Sequence, residues 1–243
     1  MAKSKTSAAM SKSSVNVPAK LIPLLLLFCI LGQLGASAQQ EAPRVGFVRL
    51  VNVAAAGEGN LMVSIDGNSY WTKGIELGQR SGGIGLKAGK KDFVITKTGC
   101  KGARRSIDIV PGETQTLVFY SLPVRDEEGK VVDWELKVAR LRQHTPEQGL
   151  HLTVISFCEE PELPIEIFES ASQSAKTVVV PKMKTTRVEL DGALVSAEIR
   201  YQEEVVTTVL AERRGNYVVM LYTDGEGDRQ GISFYDPKFV LAN

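Results

Sequence analysis

Apolar and polar residues alternate along most of the chain after residue 44. The clearest case is "VVDWELKV", where apolar Val132, Trp134, Leu136 and Val138 alternate with polar Asp133, Glu135 and Lys137. Successive side chains of a β-strand point to opposite sides of the sheet, so this pattern predicts one face in a core and the other in water. The segments that show this alternation are, in chain order, "VGFVRLVNV", "NLMVSIDG", "SYWTKGIEL", "KDFVITKT", "RSIDIV", "TQTLVFYSL" and "VVDWELKV".

The segments between these predicted strands are rich in Gly, Asp, Asn and Pro, as in "AAGEGN", "VPGET" and "RDEEGK". These residues supply the backbone dihedrals that tight turns require. Short strands at regular spacing, separated by turn signals, are typical of a β-sandwich or a β-barrel. Only "ALVSAEIRYQEEV" is ambiguous between helix and strand. The predicted fold class is therefore all-β.

The second half of the chain resembles the first. "HLTVISFCEEPELPIEIFES" repeats the strand, loop and strand of "GFVRLVNVAAAGEGNLMVSIDG", and "NYVVMLYTDGEGDRQGISFYD" repeats "QTLVFYSLPVRDEEGKVVDWE". Equivalent positions are 105, 103 and 101 residues apart, namely Phe47 with Leu152, Leu61 with Pro164, and Leu117 with Val218. A nearly constant offset indicates tandem duplication, although all-β chains also produce accidental similarity. We predict two β-sandwich domains, residues 44–142 and 150–243, joined by a linker over 143–149.

The first 38 residues have the pattern of a secretory signal peptide. Lys3, Lys5, Lys12 and Lys20 precede an apolar run beginning at Leu21, and small residues follow at Ala36 and Ala38. The order basic, apolar and small is that of a cleaved signal, and the apolar run is shorter than the roughly 20 residues of a membrane-spanning helix. We expect cleavage after Ala38 and an exported protein, periplasmic or at the cell surface. Membrane contact is expected only through this peptide before cleavage.

The two predicted domains differ in charge. Residues 44–142 contain 16 Lys and Arg against 11 Asp and Glu, a balance of +5, whereas residues 150–243 contain 9 against 15, a balance of −6. We define a basic patch as Lys87, Lys90, Lys91, Lys97, Lys101, Arg104 and Arg105, and an acidic patch as Glu159, Glu160, Glu162, Glu203 and Glu204. The patches predict a protein partner or self-association at the cell envelope, with sequence drift as the alternative. The balance gives no indication of nucleic-acid binding.

Two cysteines remain after removal of the signal peptide, Cys100 and Cys158. An even pair in an exported protein predicts one disulfide, which would join the two domains. Two free thiols are the alternative.

A family resemblance is carried by "VRLVNVAAAGEGNLMVSIDG", "IGLKAGKKDFVIT" and "IVPGETQTLVFY". Together they resemble the bacterial exported domains known as domain of unknown function 4397, in which a strand pair closes on an Asp/Asn-Gly turn and two later strands follow Gly-containing steps. Asp66-Gly67, Ala88-Gly89 and Pro111-Gly112 stand at those places. The resemblance covers roughly residues 44–122. It implies an immunoglobulin-like sandwich at the bacterial envelope and no known activity.

The chain offers little sign of catalytic or metal chemistry. The two histidines, His144 and His151, flank the predicted linker and are interpreted as solvated residues, not ligands, so no metal or cofactor is predicted. "GGIGLKAGKK" lacks the order of a phosphate-binding loop and is interpreted as a turn leading into a strand. "TDGEGDRQG" has Arg229 and Tyr235 where an EF-hand loop needs Gly and Glu, which favours a hairpin turn. No nucleophile elbow is found, and we predict that the protein is not an enzyme.

Adjacent aromatic residues at Tyr70 and Trp71 are the candidate ligand-binding residues. One of the two must face inward because neighbouring strand residues alternate. The sequence therefore predicts an exported, non-catalytic binding or structural module of the cell envelope. The alternative is a carbohydrate-binding accessory protein, with a glycan as partner, which requires solvent-facing aromatic side chains at Tyr70, Trp71 or Trp134.

Overall fold

The computed structural model describes residues 44–143, 149–190 and 196–237, and the predicted signal peptide lies outside these ranges. The first eight strands are β1 (Val45–Asn52), β2 (Glu58–Ile65), β3 (Asn68–Ser69), β4 (Ile84–Lys87), β5 (Gly89–Thr98), β6 (Ala103–Ile109), β7 (Thr114–Arg125) and β8 (Val131–Arg142). The other eight are β9 (Leu150–Ser156), β10 (Glu162–Glu169), β11 (Ser174–Pro181), β12 (Thr185–Leu190), β13 (Ser196–Tyr201), β14 (Glu204–Leu210), β15 (Gly215–Thr223) and β16 (Arg229–Tyr235).

The two halves have the same topology. The first domain contains the sheets β4-β1-β7-β8 and β3-β2-β5-β6, and the second contains β12-β9-β15-β16 and β11-β10-β13-β14. Each strand of the first domain therefore has its counterpart eight strands later, with the same neighbours. The pair β1–β7 is parallel, and so is its counterpart β9–β15. This arrangement confirms the prediction of an all-β fold with two tandem β-sandwich domains.

The turn between the last two strands is also the same in both domains. Asp126 Oδ1 accepts hydrogen bonds from the backbone N–H groups of Glu128 (3.1 Å) and Lys130 (2.8 Å). Asp224 Oδ1 accepts the equivalent bonds from Glu226 (2.9 Å) and Asp228 (3.0 Å). An Asp side chain that binds its own following backbone is a common way to build such a turn. The acidic segment "TDGEGD" is thus a hairpin turn, as predicted.

Each domain has its own apolar core between its two sheets. In the first, Leu50 of β1, Phe93 of β5 and Phe119 of β7 are completely buried. In the second, Leu152 of β9 and Val219 of β15 occupy the corresponding positions. Alternation along the strands places these residues on one face, so the pattern in the sequence accounts for both cores.

A third apolar cluster lies between the two domains and contains residues of both. The first domain contributes Val51, Val53 and Val118, and the second contributes Ile155, Val218, Met220, Tyr222 and Phe234. Strands β1, β9 and β15 are consequently buried on both faces over most of their length, and β7 over its first half. The sheets β4-β1-β7-β8 and β12-β9-β15-β16 therefore pack against each other, and the two domains belong to one compact unit.

A buried ion pair joins the domains beside this cluster. Arg49 Nη1 lies 2.8 Å from Asp236 Oδ1, and the two side chains are only 1% and 7% exposed. The ring of Phe234 contacts two guanidinium groups of the first domain, with its centroid 4.9 Å from Arg49 and 5.4 Å from Arg80. These contacts attach β16 of the second domain to the first.

Two predictions about the first domain are wrong in detail. "SYWTKGIEL" does not form a continuous strand, because β3 ends at Ser69 and the following residues form turns with one bridge between Leu61 and Ile75. "GGIGLKAGKK" is not only a turn, since Ile84–Lys87 forms β4 and pairs antiparallel with β1. In both places glycine interrupts the segment, so the alternation extends over too few residues to identify the strand.

Candidate functional site: the interdomain cleft

An open cleft of about 760 Å³ lies at one end of the interface between the domains. Its first-domain wall is formed by the β1–β2 loop and the β7–β8 hairpin: Val53, Ala55, Ala56, Gly57, Ser121, Leu122, Pro123 and Trp134. Its second-domain wall is formed by the β9–β10 loop, Lys182 and the β15–β16 turn: Phe157, Glu159, Glu160, Lys182, Tyr222, Thr223, Asp224, Gly225, Gly227 and Arg229. This volume falls in the range of small-ligand sites, about 300–1,000 Å³.

Residues beneath the β1–β2 loop fix its path along the cleft. The buried Lys97 donates a hydrogen bond from Nζ to the carbonyl oxygen of Ala54 at 2.7 Å. Cys100 Sγ donates to the carbonyl oxygen of Ala56 at 3.3 Å. Gly57 has φ +81°, and a Cβ there would lie 2.4 Å from the carbonyl oxygen of Thr98. Only glycine fits this position, so the loop presents small side chains and exposed backbone to the cleft.

Trp134 is the largest side chain in the first-domain wall. It lies on β8, an edge strand of its sheet, and is partly exposed. The main-chain edge of β8 is occupied at this point, because the Lys101 N–H donates to the carbonyl oxygen of Trp134 (2.8 Å) and the Leu136 N–H to that of Lys101 (2.9 Å). The partly exposed indole of Trp134 therefore offers the cleft an aromatic surface.

Aromatic side chains of the second domain lie opposite. Phe157 lines the cleft and packs against Tyr120 of the first domain, with ring centroids 5.2 Å apart. Tyr222 also lines the cleft and belongs to the shared cluster. Its hydroxyl reaches Gly78 of the first domain so closely that a Cβ added there would lie 2.5 Å away. The base of the cleft is thus part of the interface itself.

Two of the carboxylates that line the cleft are in ion pairs. Glu159 accepts a 2.9 Å ion pair from Arg125 at the end of β7, which crosses from one domain to the other. Glu160 forms an ion pair with Arg229, and Lys182 Nζ donates to the carbonyl oxygen of Glu159 at 3.2 Å. Three carboxylates, Glu159, Glu160 and Asp224, and two cations, Lys182 and Arg229, line the cleft. Arg125, which pairs with Glu159 from outside the lining, brings the formal charge balance to zero.

The pKa values of two of these carboxyl groups are lowered. Burial would raise the pKa of Glu160, but hydrogen bonds from its own backbone N–H and from Arg229 outweigh burial and lower it. Burial would likewise raise the pKa of Asp224, but the backbone N–H groups of Glu226 and Asp228 and the side chain of Gln230 lower it. Both groups are therefore ionised at neutral pH.

The lowered pKa of Asp224 predicts a pH-dependent contribution to stability. Its folded-state pKa lies below the ordinary value of 3.8, so the unfolded state binds more protons in acid. The contribution is present above about pH 3.8 and is lost as the pH falls through the folded-state pKa. Asp224→Asn keeps an oxygen that can accept the N–H bonds of the turn but cannot titrate. We expect its unfolding free energy, measured in urea between about pH 6 and pH 2, to fall less steeply than that of the wild type.

The control for this experiment is Glu226→Gln, which removes an exposed carboxylate from the same turn. We expect its pH dependence to follow the wild type. Parallel curves for the wild type and Asp224→Asn would contradict the assignment of Asp224 as the titrating group of the turn.

The predicted aromatic pair lies outside the cleft. Tyr70 is 51% exposed, whereas Trp71 packs against the core of the first domain, so one of the two faces inward as expected. Of the three aromatic residues named for the carbohydrate alternative, Trp134 is the one that lines the cleft. No described contact brings Tyr70 or Trp71 to it.

Among the described residues, no ion pair joins the basic patch to the acidic patch. Lys97 is buried at 7% exposure, so its place in the surface patch was wrong. Lys91 pairs with Asp66 and Arg104 with Asp92, both inside the first domain. From the acidic patch, Glu159 and Glu160 line the cleft. Association between chains through the remaining patch residues stays a prediction.

Cys100 and Cys158 are free thiols, and the predicted disulfide between them is absent from the structure. Cys158 belongs to the core of the second domain, whereas Cys100 packs against the core of the first. Burial raises the pKa of both thiols, which keeps them protonated at neutral pH.

The interpretation of the histidines as solvated was wrong for His151. It lies on β9 with 6% exposure, because this strand is buried on both faces. His144 lies outside the described residues. Within the described ranges, no group of three or more His, Cys, Asp or Glu side chains could hold a metal ion. No helix suited to crossing a membrane occurs in that part of the chain either.

Several cleft residues were not found from the sequence, namely Phe157, Lys182, Tyr222 and Arg229. They belong to the β9–β10 loop, the β11–β12 connection and β15–β16, which are separated along the chain. A signal was present in "YVVMLYT", whose unbroken apolar run is typical of a strand buried on both faces. Such a run indicates a second packing surface and therefore an interface beside which a cleft can form.

Comparisons with known proteins give little further information. No family model matches the chain, and the curated proteins contain no significant match. Among solved structures, the TIE protein of Bacillus anthracis aligns with 73% of this chain at 11% identity and a TM-score of 0.22. The alignment covers 50% of that protein, so this chain spans about half its length. A similarity this low supports neither a fold nor a function assignment, and the resemblance to domain of unknown function 4397 stays a prediction.

Proposed function

We propose that this protein is an exported, non-catalytic binding module of the cell envelope and that the interdomain cleft holds its ligand. The observation that carries the proposal is the construction of the cleft. Its two walls belong to different domains, and the shared apolar cluster and the Arg49–Asp236 pair fix those domains to each other. A rigid site of this kind loses little entropy when a ligand binds.

The chemistry of the cleft favours binding over hydrolysis. A glycosidase or a comparable hydrolase needs a general acid whose pKa is raised toward neutrality. Glu160 and Asp224 have lowered pKa values and are held by ion pairs or backbone hydrogen bonds. Cys158 is buried in the core and its thiol has a raised pKa, so it is a poor nucleophile.

The proposal predicts that Trp134 is required for binding to envelope material. The chain without residues 1–38 is incubated with washed envelope fragments of the source organism, and the bound fraction is measured by sedimentation over a range of protein concentrations. Loss of a central aromatic contact costs about 2 kcal/mol or more, and 1.4 kcal/mol corresponds to tenfold in affinity. We therefore expect Trp134→Ala to weaken binding at least about tenfold.

Tyr70→Ala is the matched control, because it removes an exposed aromatic side chain of the same domain outside the cleft. Its binding should equal that of the wild type, and thermal unfolding should verify that both variants are folded. Undiminished binding by folded Trp134→Ala would place the ligand elsewhere and refute the proposed site.

A further inference from the structure

We infer that the ligand of the interdomain cleft is an uncharged segment of a glycan, stacked on Trp134. This inference rests on the proposed function and adds the chemical class of the ligand. It follows from the charge balance of the cleft, from its aromatic surface and from the state of the neighbouring strand edge.

The charge balance argues against an ionic ligand. Glu159 is paired with Arg125, Glu160 with Arg229, and Asp224 is satisfied by backbone N–H groups of its own turn. A charged ligand that engaged Glu159, Glu160 or their arginine partners would have to break one of these two ion pairs and leave a charge without its partner. A neutral ligand gains hydrogen bonds from the same groups without that penalty.

The surface of the cleft matches the two kinds of groups that a sugar ring presents. The C–H groups of a sugar face carry slight positive charge and pack well on the electron-rich face of an aromatic ring, which Trp134 offers. Hydroxyl groups both donate and accept, so they suit a wall of carboxylate, guanidinium, ammonium and backbone groups. Gly225 and Gly227 on one side and Ala55 and Ala56 on the other have small or no side chains, which leaves room for a ring in the cleft.

The edge of β8 argues against a peptide ligand. A peptide bound in an extended form usually adds its main chain to an exposed sheet edge. Next to Trp134 that edge is already occupied by Lys101, which bonds both to Trp134 and to Leu136. An extended peptide therefore has no free strand edge to pair with in the cleft and would contact only side chains and loops.

The test is a set of calorimetric titrations with the predicted mature chain, residues 39–243. The probes are neutral oligosaccharides of hexoses and of N-acetylhexosamines, the same backbones with uronic acids, and an extended neutral peptide. We expect a neutral oligosaccharide to bind, and the matching uronic-acid compound to bind at least about tenfold more weakly.

Two substitutions locate the binding site. Trp134→Ala should weaken binding of the neutral oligosaccharide at least about tenfold. Trp134→Phe keeps an aromatic face, so its affinity should fall less. Tyr70→Ala should bind like the wild type. Three results would each overturn the inference. They are equal affinity of the wild type and Trp134→Ala, tighter binding of a uronic-acid compound or of the peptide than of the neutral oligosaccharide, and no binding of any neutral oligosaccharide. If Trp134 is nevertheless needed for binding to envelope fragments, the proposed function stands and only the ligand class is wrong.

Discussion

Asp236→Ala is expected to destabilise the protein by about 3–5 kcal/mol, because it leaves the guanidinium of Arg49 buried without its carboxylate. Arg49 is 1% exposed and reaches Asp236 at 2.8 Å across the domain interface. Rearrangement cannot easily bring water to the cation, since Phe234 covers it at 4.9 Å. Urea denaturation followed by tryptophan fluorescence and by circular dichroism measures the change.

Two controls separate the buried charge from the loss of a side chain. The double variant Arg49→Met with Asp236→Leu removes both charges and is expected to recover most of the lost stability. Arg125→Ala breaks a second ion pair between the domains, one whose members are 45% and 55% exposed, so the expected loss is at most about 1 kcal/mol. Equal losses for Asp236→Ala and Arg125→Ala would mean that the buried pair is not desolvated in solution.

Alternation along the chain was sufficient to predict the strands and cores of the two domains, but not the surface between them. In β1 the residues on the side away from the first core include Arg49, which sequence reading assigns to water. A buried arginine is tolerated only when a partner satisfies it, and Asp236 is 187 residues away along the chain. Local periodicity contains no information about so distant a pair.

The candidate site illustrates the same limit. Trp134 was a candidate from the sequence, because a large aromatic residue in an alternating strand lies either in a core or on a ligand-binding surface. Its counterparts Phe157 and Tyr222 become cleft residues only through the packing of one domain on the other. Charge counting also failed here, since Glu159 and Glu160 meet Arg125 and Arg229 and not the basic patch.

Met220→Glu is expected to have a comparably large effect, because Met220 is completely buried in the apolar cluster between the domains. A carboxyl group there must either remain uncharged or lose its hydration, and we expect a loss of about 4 kcal/mol or more. Met220→Leu preserves the apolar volume and should cost less than about 1.5 kcal/mol. Denaturant unfolding measures the free energy of unfolding of both variants. Similar values for Met220→Glu and Met220→Leu would mean that the domains touch only loosely and do not share a core.

The response to salt tests whether surface charge or the buried contacts hold the two domains together. The opposite charges of the two domains predict an arrangement that loosens as salt shortens the Debye length from about 10 Å at 0.1 M to about 3 Å at 1 M. The shared apolar cluster and the buried pair predict no loosening, since salt screens neither of them strongly. We therefore expect small-angle scattering to give the wild type and Met220→Leu the same radius of gyration at both salt concentrations. Expansion of Met220→Leu and the wild type in high salt would instead assign the arrangement to surface charge.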